Sequence, residues 1–221
     1  MLFNIVGTIA FCPLLLVGSV LAQGPTTTVS APGSRCTLPC PSESPTAPDP
    51  DRRFVCRDNR LGPVDLPSEP AIAEMLDGYD QFGGLCPQEY FHHWFNDTNQ
   101  HYINPPGNGF LLDAYNRPMY TEVTIPAGTL LDRFGGLNAS FLSILGTAYT
   151  RRAISPGNLS RRRSATAPIY YVFNVTQPIR AQFGRSAPWY GQQGGELQYY
   201  LPDTSTQALI DQGSLELLES L

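Results

Sequence analysis

Apolar and polar positions change rhythm along this chain of 221 residues. From Ser68 to Phe95 the spacing is helical: Ile72, Met75 and Leu76 share one face, and Pro87 opens a second run carrying Tyr90, Phe91, Trp94 and Phe95. Beyond Pro106 the texture turns to β. Tyr120 to Ile125 alternates, Ile169 to Val175 is dense in β-branched and aromatic residues, and Gln198 to Leu201 makes a third strand. Thr206 to Leu221 returns to helical spacing through Leu209, Ile210, Leu215, Leu217 and Leu218. Pro and Gly punctuate the β runs at short intervals, which predicts an antiparallel sheet joined by loops, not a doubly wound fold. The expected fold class is α+β, an antiparallel β core with a small helical N-terminal subdomain.

The first 22 residues read as a secretory signal. Ile5 to Leu21 carries no charge, and Val20-Leu21-Ala22 supplies the small residues of a cleavage site. The apolar run is just about long enough to span a bilayer, which makes a retained anchor the alternative. The polar Thr/Pro/Ser-rich stretch from Gln23 decides for cleavage, so the mature chain is expected to be secreted and free of the membrane. Residues 23–35 are then a disordered leader, 36–105 the helical subdomain, and 106–221 the β core with C-terminal helices. Cys12 leaves with the signal, and Cys36, Cys40, Cys56 and Cys86 remain. In an oxidising compartment they predict two disulfides with three connectivities open, and the absence of tight CxxC pairs disfavours zinc. Sequons at Asn96, Asn138, Asn158 and Asn174 agree with export and mark candidate glycosylation sites.

Charge narrows the chemistry. A net charge of −5 and a pI near 5.1 argue against nucleic acid as a partner. All 14 basic residues are arginine, so no Schiff-base, pyridoxal or Walker-type lysine exists. His92 and His93 are adjacent and would point about 100 degrees apart on a helix, so with His101 they make no expected metal site. Neither a GxSxG elbow nor an HExxH motif occurs. Arg161-Arg162-Arg163 reads as a solvated loop. Glu196 and Gln198 would project from the same side of a strand.

The segment from Leu131 to Pro156 is the most informative. Leu131-Asp132-Arg133-Phe134-Gly135-Gly136, Phe141-Leu142, Gly146 and Tyr149-Thr150-Arg151-Arg152-Ala153-Ile154-Ser155-Pro156 gather guanidinium groups, an aromatic ring and permissive glycines. Together with Arg60-Leu61-Gly62-Pro63-Val64, Phe82-Gly83-Gly84-Leu85-Cys86-Pro87, Pro105 to Phe110, Ala187-Pro188-Trp189 and Gln198, this segment resembles the signature of NAD glycohydrolases of the tuberculosis-necrotizing-toxin type. The secreted fungal branch is the most similar, over roughly Cys36 to Leu218.

The resemblance implies hydrolysis of NAD⁺, and of NADP⁺ as well, to nicotinamide and ADP-ribose without a required cofactor. It implies that Arg133 and Arg152 hold the pyrophosphate and that Gln198 is the catalytic glutamine. Phe134, Asp132, Glu196 and Trp189 are then the substrate-binding residues. It also implies a homodimer. Asp211, Glu216 and Glu219 alone make a poor oxygen cage, so calcium is expected to be absent or weak. Glu196 before Gln198 is similar to the paired polar positions of ADP-ribosyltransferases. Transfer to a protein acceptor is therefore the alternative reading, and an inactive surface protein the third.

Overall fold

A computed structural model describes Cys36, Cys40 and residues 52–161 and 164–221. The expected signal and leader, and the second and third arginines of the basic triplet, lie outside the described residues. Two short helices come first, α1 (Pro70–Met75) and α2 (Pro87–Trp94). Each begins at proline, whose missing N–H costs nothing at a helix start. In α2, Glu89 additionally accepts the Cys86 amide at 2.9 Å. A small hairpin follows, β1 (Phe95–Asn96) with β2 (His101–Tyr102).

The remaining strands are β3 (Thr121–Ile125), β4 (Leu130–Phe134), β5 (Phe141–Ile144), β6 (Tyr170–Val175), β7 (Ile179–Arg185), β8 (Leu197–Tyr200) and β9 (Leu215–Ser220). They form one seven-stranded sheet in the order β3-β7-β8-β5-β4-β6-β9, every neighbour antiparallel. Helices α3 (Tyr149–Arg152) and α4 (Thr206–Asp211) are set between strands. The fold is thus α+β around an antiparallel sheet.

Alternation sorts the side chains onto two faces. One packs Ile125, Leu131, Leu142, Phe173, Ala181 and Leu201 against Leu209 of α4. The other sets Phe134, Tyr170 and Val172 against Ile72 and Met75 of α1 and Tyr149 of α3. Each such fully buried aliphatic side chain contributes about 1.5–3 kcal/mol, which is why a six-residue α1, too short to persist alone, stays helical here.

Two disulfides staple the N-terminal segment, Cys36–Cys86 and Cys40–Cys56. This selects one of the three connectivities. Arg60 ties the same segment together, donating to Asp58 and lying 4.5 Å and 4.4 Å from the ring centres of Phe91 and Phe95.

Two expectations are corrected. The tail is not helical throughout: α4 ends, Gly213 takes φ +73, and Leu215–Ser220 becomes an edge strand on β6. Leucines at 215, 217 and 218 fit a helix as well as a strand, and the free edge of β6 decided between them. Arg161 is not merely solvated. It is ion-paired with Glu69 and donates to the Ala167 carbonyl at 2.7 Å.

Candidate active site

A cleft of about 390 Å³ opens on the α1-facing side of the sheet, and Arg133, Phe134, Ser143, Arg152, Asn158 and Gln198 are among its lining. Its far wall comes from the stapled segment and the loop before β8: Tyr102, Asn104, Asn108 and Tyr190. Glycine permits that wall. A Cβ on Gly83 would stand 2.7 Å from the Gly191 Cα, so only glycine lets the two backbones touch and fix the Tyr190 turn. Gln192 secures the same turn by donating to the Asp80 carbonyl at 2.7 Å. The Tyr190 hydroxyl donates to Asn104 Oδ1 at 3.3 Å. Burial pushes its pKa up to about 12, so the phenol remains a donor.

The two arginines are held in different ways. Arg152, 6% exposed, is delivered by α3, which ends at Ala153 in a left-handed turn. Its Nε donates to the Thr147 carbonyl at 2.8 Å, and Nη1 and Nη2 grip the two oxygens of Asp132 at 2.5 and 2.8 Å. Nη2 also reaches the Met75 sulfur at 3.5 Å, and the guanidinium lies 5.0 Å from the centre of the Phe134 ring. Of its five N–H groups, one on Nη1 is left for a ligand. Asp132 is fully buried and accepts also from the Gly146 amide at 2.9 Å and the Tyr170 hydroxyl at 2.8 Å. Burial and the adjacent carboxylate hold the Tyr170 phenol above its ordinary range, which keeps it a donor.

Arg133 has no such partner. Its Nε donates to the Gly136 carbonyl at 2.7 Å and its Nη1 to the Phe141 carbonyl at 2.6 Å, both neutral. Among the described residues no carboxylate pairs with it. Burial pulls its pKa down to about 10, partly opposed by Tyr171, so it stays charged at neutral pH. The described lining includes no Asp, Glu or His. The cleft therefore carries one uncompensated positive charge, which suits an anion.

The structure gathers Arg133, Arg152, Phe134 and Gln198 at one cleft and sets three other expected residues off its walls. Asp132 lies beneath, saturated by its donors. Glu196 precedes β8, and its carboxylate accepts the neighbouring Leu197 amide at 3.2 Å. Trp189 stands behind Tyr190, donating to the Ile103 carbonyl at 2.8 Å and packing on Trp94. Gln198 Nε2 makes a long 3.5 Å contact with the Asn108 carbonyl. That contact leaves Oε1 as an acceptor for a ligand.

Asn158, the asparagine of one sequon, lines the cleft, and its Nδ2 donates to Ser155 O and Oγ at 3.1 and 3.3 Å. Its Oδ1 sits where a Cβ on Gly135 would be, and the Ser160 of its sequon is buried, donating to the Asn59 carbonyl at 2.6 Å. Asn96 and Asn138 are exposed and do not line the cleft. Peptide mapping of the secreted protein should therefore find Asn158 unmodified. A glycan there, on folded protein, would contradict this geometry.

Sequence reasoning passed over Ser143, Tyr102, Asn104 and Asn108 as site residues. Two of them carried a signal: Asn108 lies in the Pro105 to Phe110 motif, and Ser143 stands two positions after Phe141 on one strand face. The three histidines are exposed, and among the described residues no three His, Cys, Asp or Glu side chains converge as metal ligands.

The antiparallel sheet thus carries on one face an arginine-lined cleft with no carboxylate in its described lining, a charge balance that suits an anion. A model of the family described as tuberculosis necrotizing toxin matches residues 124–218. The conidial surface nicotinamide adenine dinucleotide glycohydrolase of Aspergillus fumigatus is 39% identical over 168 residues, 75% of this chain and 71% of that protein. The chain belongs to the tuberculosis necrotizing toxin family. Among solved structures, tuberculosis necrotizing toxin complexed with its immunity factor aligns with 80% of this chain and 98% of its own, at 19% identity and a TM-score of 0.49. Tse6 in complex with Tsi6 aligns with 67% and 92%, at 14% identity and a TM-score of 0.32.

Proposed function

We propose that this chain is a secreted NAD⁺ glycohydrolase that yields nicotinamide and ADP-ribose, with NADP⁺ as a second substrate. The observation that carries the reading is the convergence of Arg133, Arg152, Phe134 and Gln198 on one cleft, in a chain similar to a fungal surface enzyme of that activity. The chemistry needs no acid. The bond from the ribose C1 to the pyridinium nitrogen breaks with its electron pair going to nitrogen, so nicotinamide leaves neutral. What remains is oxocarbenium-like, and water adds to C1 and loses a proton to solvent. The protein's part is to orient and to stabilise charge.

Arg133 supplies the net positive charge for the pyrophosphate. Arg152, neutralised by Asp132, adds one N–H of fixed direction. Phe134 closes the floor beneath Arg152. Gln198 Oε1 accepts from a ribose hydroxyl or from water. Asp132 acts as a positioning group for Arg152, not as a substrate contact. Nothing favours transfer to a protein acceptor, since the Glu196 carboxylate is turned to the Leu197 amide.

We read residues 1–22 as a cleaved signal and 36–105 as the stapled subdomain, with secretion to the medium or cell surface and, as the resemblance implies, a homodimer. Incubating the secreted protein with NAD⁺ should release equal amounts of nicotinamide and ADP-ribose without added metal. Label retained on a polypeptide would favour transfer, and no release would favour an inactive fold. The rate should be flat between about pH 6 and pH 9, because neither carboxylate nor imidazole titrates in the described lining. It should decline only as Arg133 loses its proton near its pKa of about 10. An acid limb below neutrality would mean that a carboxylate acts in the reaction.

A further inference from the structure

We infer that Ser143 is a second catalytic residue: with Gln198 it seats the water that attacks C1 of the ribose. This rests on the NAD⁺ glycohydrolase reading.

Register carries the inference. In the β5–β8 ladder Ser143 stands directly opposite Gln198, and in the β4–β5 ladder it stands directly opposite Asp132. The three side chains therefore share one face of three adjacent strands, with Ser143 in the middle. Asp132 is taken, its oxygens engaged by Arg152, Gly146 and Tyr170. Ser143 is not. It lines the cleft, and among the described residues its hydroxyl has no hydrogen-bond partner. Gln198 also lines the cleft, and its amide nitrogen leans on the Asn108 carbonyl, which leaves Oε1 without a hydrogen-bond partner among the described residues.

Directly opposed residues have Cβ atoms roughly 4.5–5.5 Å apart, and both side chains line the same cleft, so their acceptors can converge on a single water that donates one hydrogen to each, at about 2.8 Å. Both water hydrogens are then occupied, and a lone pair faces the sugar. The site needs such a seat. The described lining offers no carboxylate or imidazole to draw a proton from the nucleophile, so orientation by neutral acceptors has to do the work. In the step itself the C1–N bond breaks, its pair leaves with nicotinamide, the water oxygen bonds to C1, and the released proton passes to bulk solvent. The serine is neither acylated nor deprotonated.

A ribose-holding role and a water-seating role differ in what they change. Losing one neutral hydrogen bond to the nucleophile should lower kcat of Ser143→Ala by about tenfold, with KM for NAD⁺ little altered. Ser143→Thr retains the hydroxyl and should retain most of the rate. The decisive readout is partition: with methanol present, the ratio of O-methyl-ADP-ribose to ADP-ribose should rise in Ser143→Ala, because water loses its seat while the competing alcohol never had both contacts. Thermal unfolding of both variants should match the parent. An unchanged kcat and partition in Ser143→Ala, or an effect confined to KM, would overturn the inference alone. If the unmodified protein released no nicotinamide, the glycohydrolase reading itself would fall, and this inference with it.

Discussion

Replacing Gln198 by alanine should lower kcat for nicotinamide release by about two to three orders of magnitude, with the fold intact. Among the described residues the glutamine's one side-chain hydrogen bond is the 3.5 Å approach to the Asn108 carbonyl, too long to hold much of the structure together. Its catalytic value comes from fixed direction. In the transition state positive charge gathers on the ribose. An acceptor already fixed in place to orient the attacking water toward that charge works without reorganisation, whereas solvent filling the vacated space would have to turn. Steady-state nicotinamide release, measured beside thermal unfolding, checks both halves of the expectation. Wild-type kcat in a folded Gln198→Ala protein would remove the glutamine from the reacting geometry.

The largest expected loss of stability belongs to Asp132. Its removal leaves the Arg152 guanidinium buried without a counter-charge and strips the acceptor from the Gly146 amide and the Tyr170 hydroxyl. Breaking one side of a buried ion pair costs about 3–5 kcal/mol, against a typical total of about 5–15 kcal/mol. Asp132→Ala should therefore unfold at much lower urea concentration or fail to accumulate. Surface exposure provides the control. Arg117 pairs with Asp113 through the same chemistry, but its side chain is 72% exposed, and Arg117→Ala, which leaves Asp113 bonded to the Tyr115 and Arg117 amides, should barely move the midpoint because solvent already screens the pair. Equal midpoints for the two variants would refute the account of Asp132 as the strut beneath the cleft.

Why some of this was legible before the structure, and some was not, comes down to how each residue is satisfied. β3, β6 and β8 announce themselves because their apolar or aromatic residues recur with period two. β4 does not: Leu130-Leu131-Asp132-Arg133-Phe134 places two charges in mid-strand, and only the contacts from Arg152, the Gly146 amide and the Tyr170 hydroxyl explain how an aspartate can be fully buried there. The motif around Arg133 and Arg152 was readable, but the division between them was not. Sequence shows two guanidiniums, whereas the difference lies in Asp132 cancelling one of them. Trp189 and Glu196 lie off the cleft walls for a similar reason, since neighbouring positions on a loop need not share a wall. Asn158 was hidden behind its own sequon. Ser143 was within reach, because alternation from Phe141 places it on the same strand face.

The lack of a carboxylate in the described lining of the cleft has a consequence for inhibitor chemistry. Cationic iminosugars bind many glycosidases by imitating the charged transition state against a carboxylate pair. Here such a cation would find no acidic side chain in the described lining and would face the positive charge of Arg133. Affinity has to come from the opposite end of the ligand. A compound that keeps a pyrophosphate for Arg133 and replaces the ribosyl nitrogen bond with an unbreakable carbon link should bind well. A sugar mimic alone should bind poorly, however closely it resembles the reacting ring.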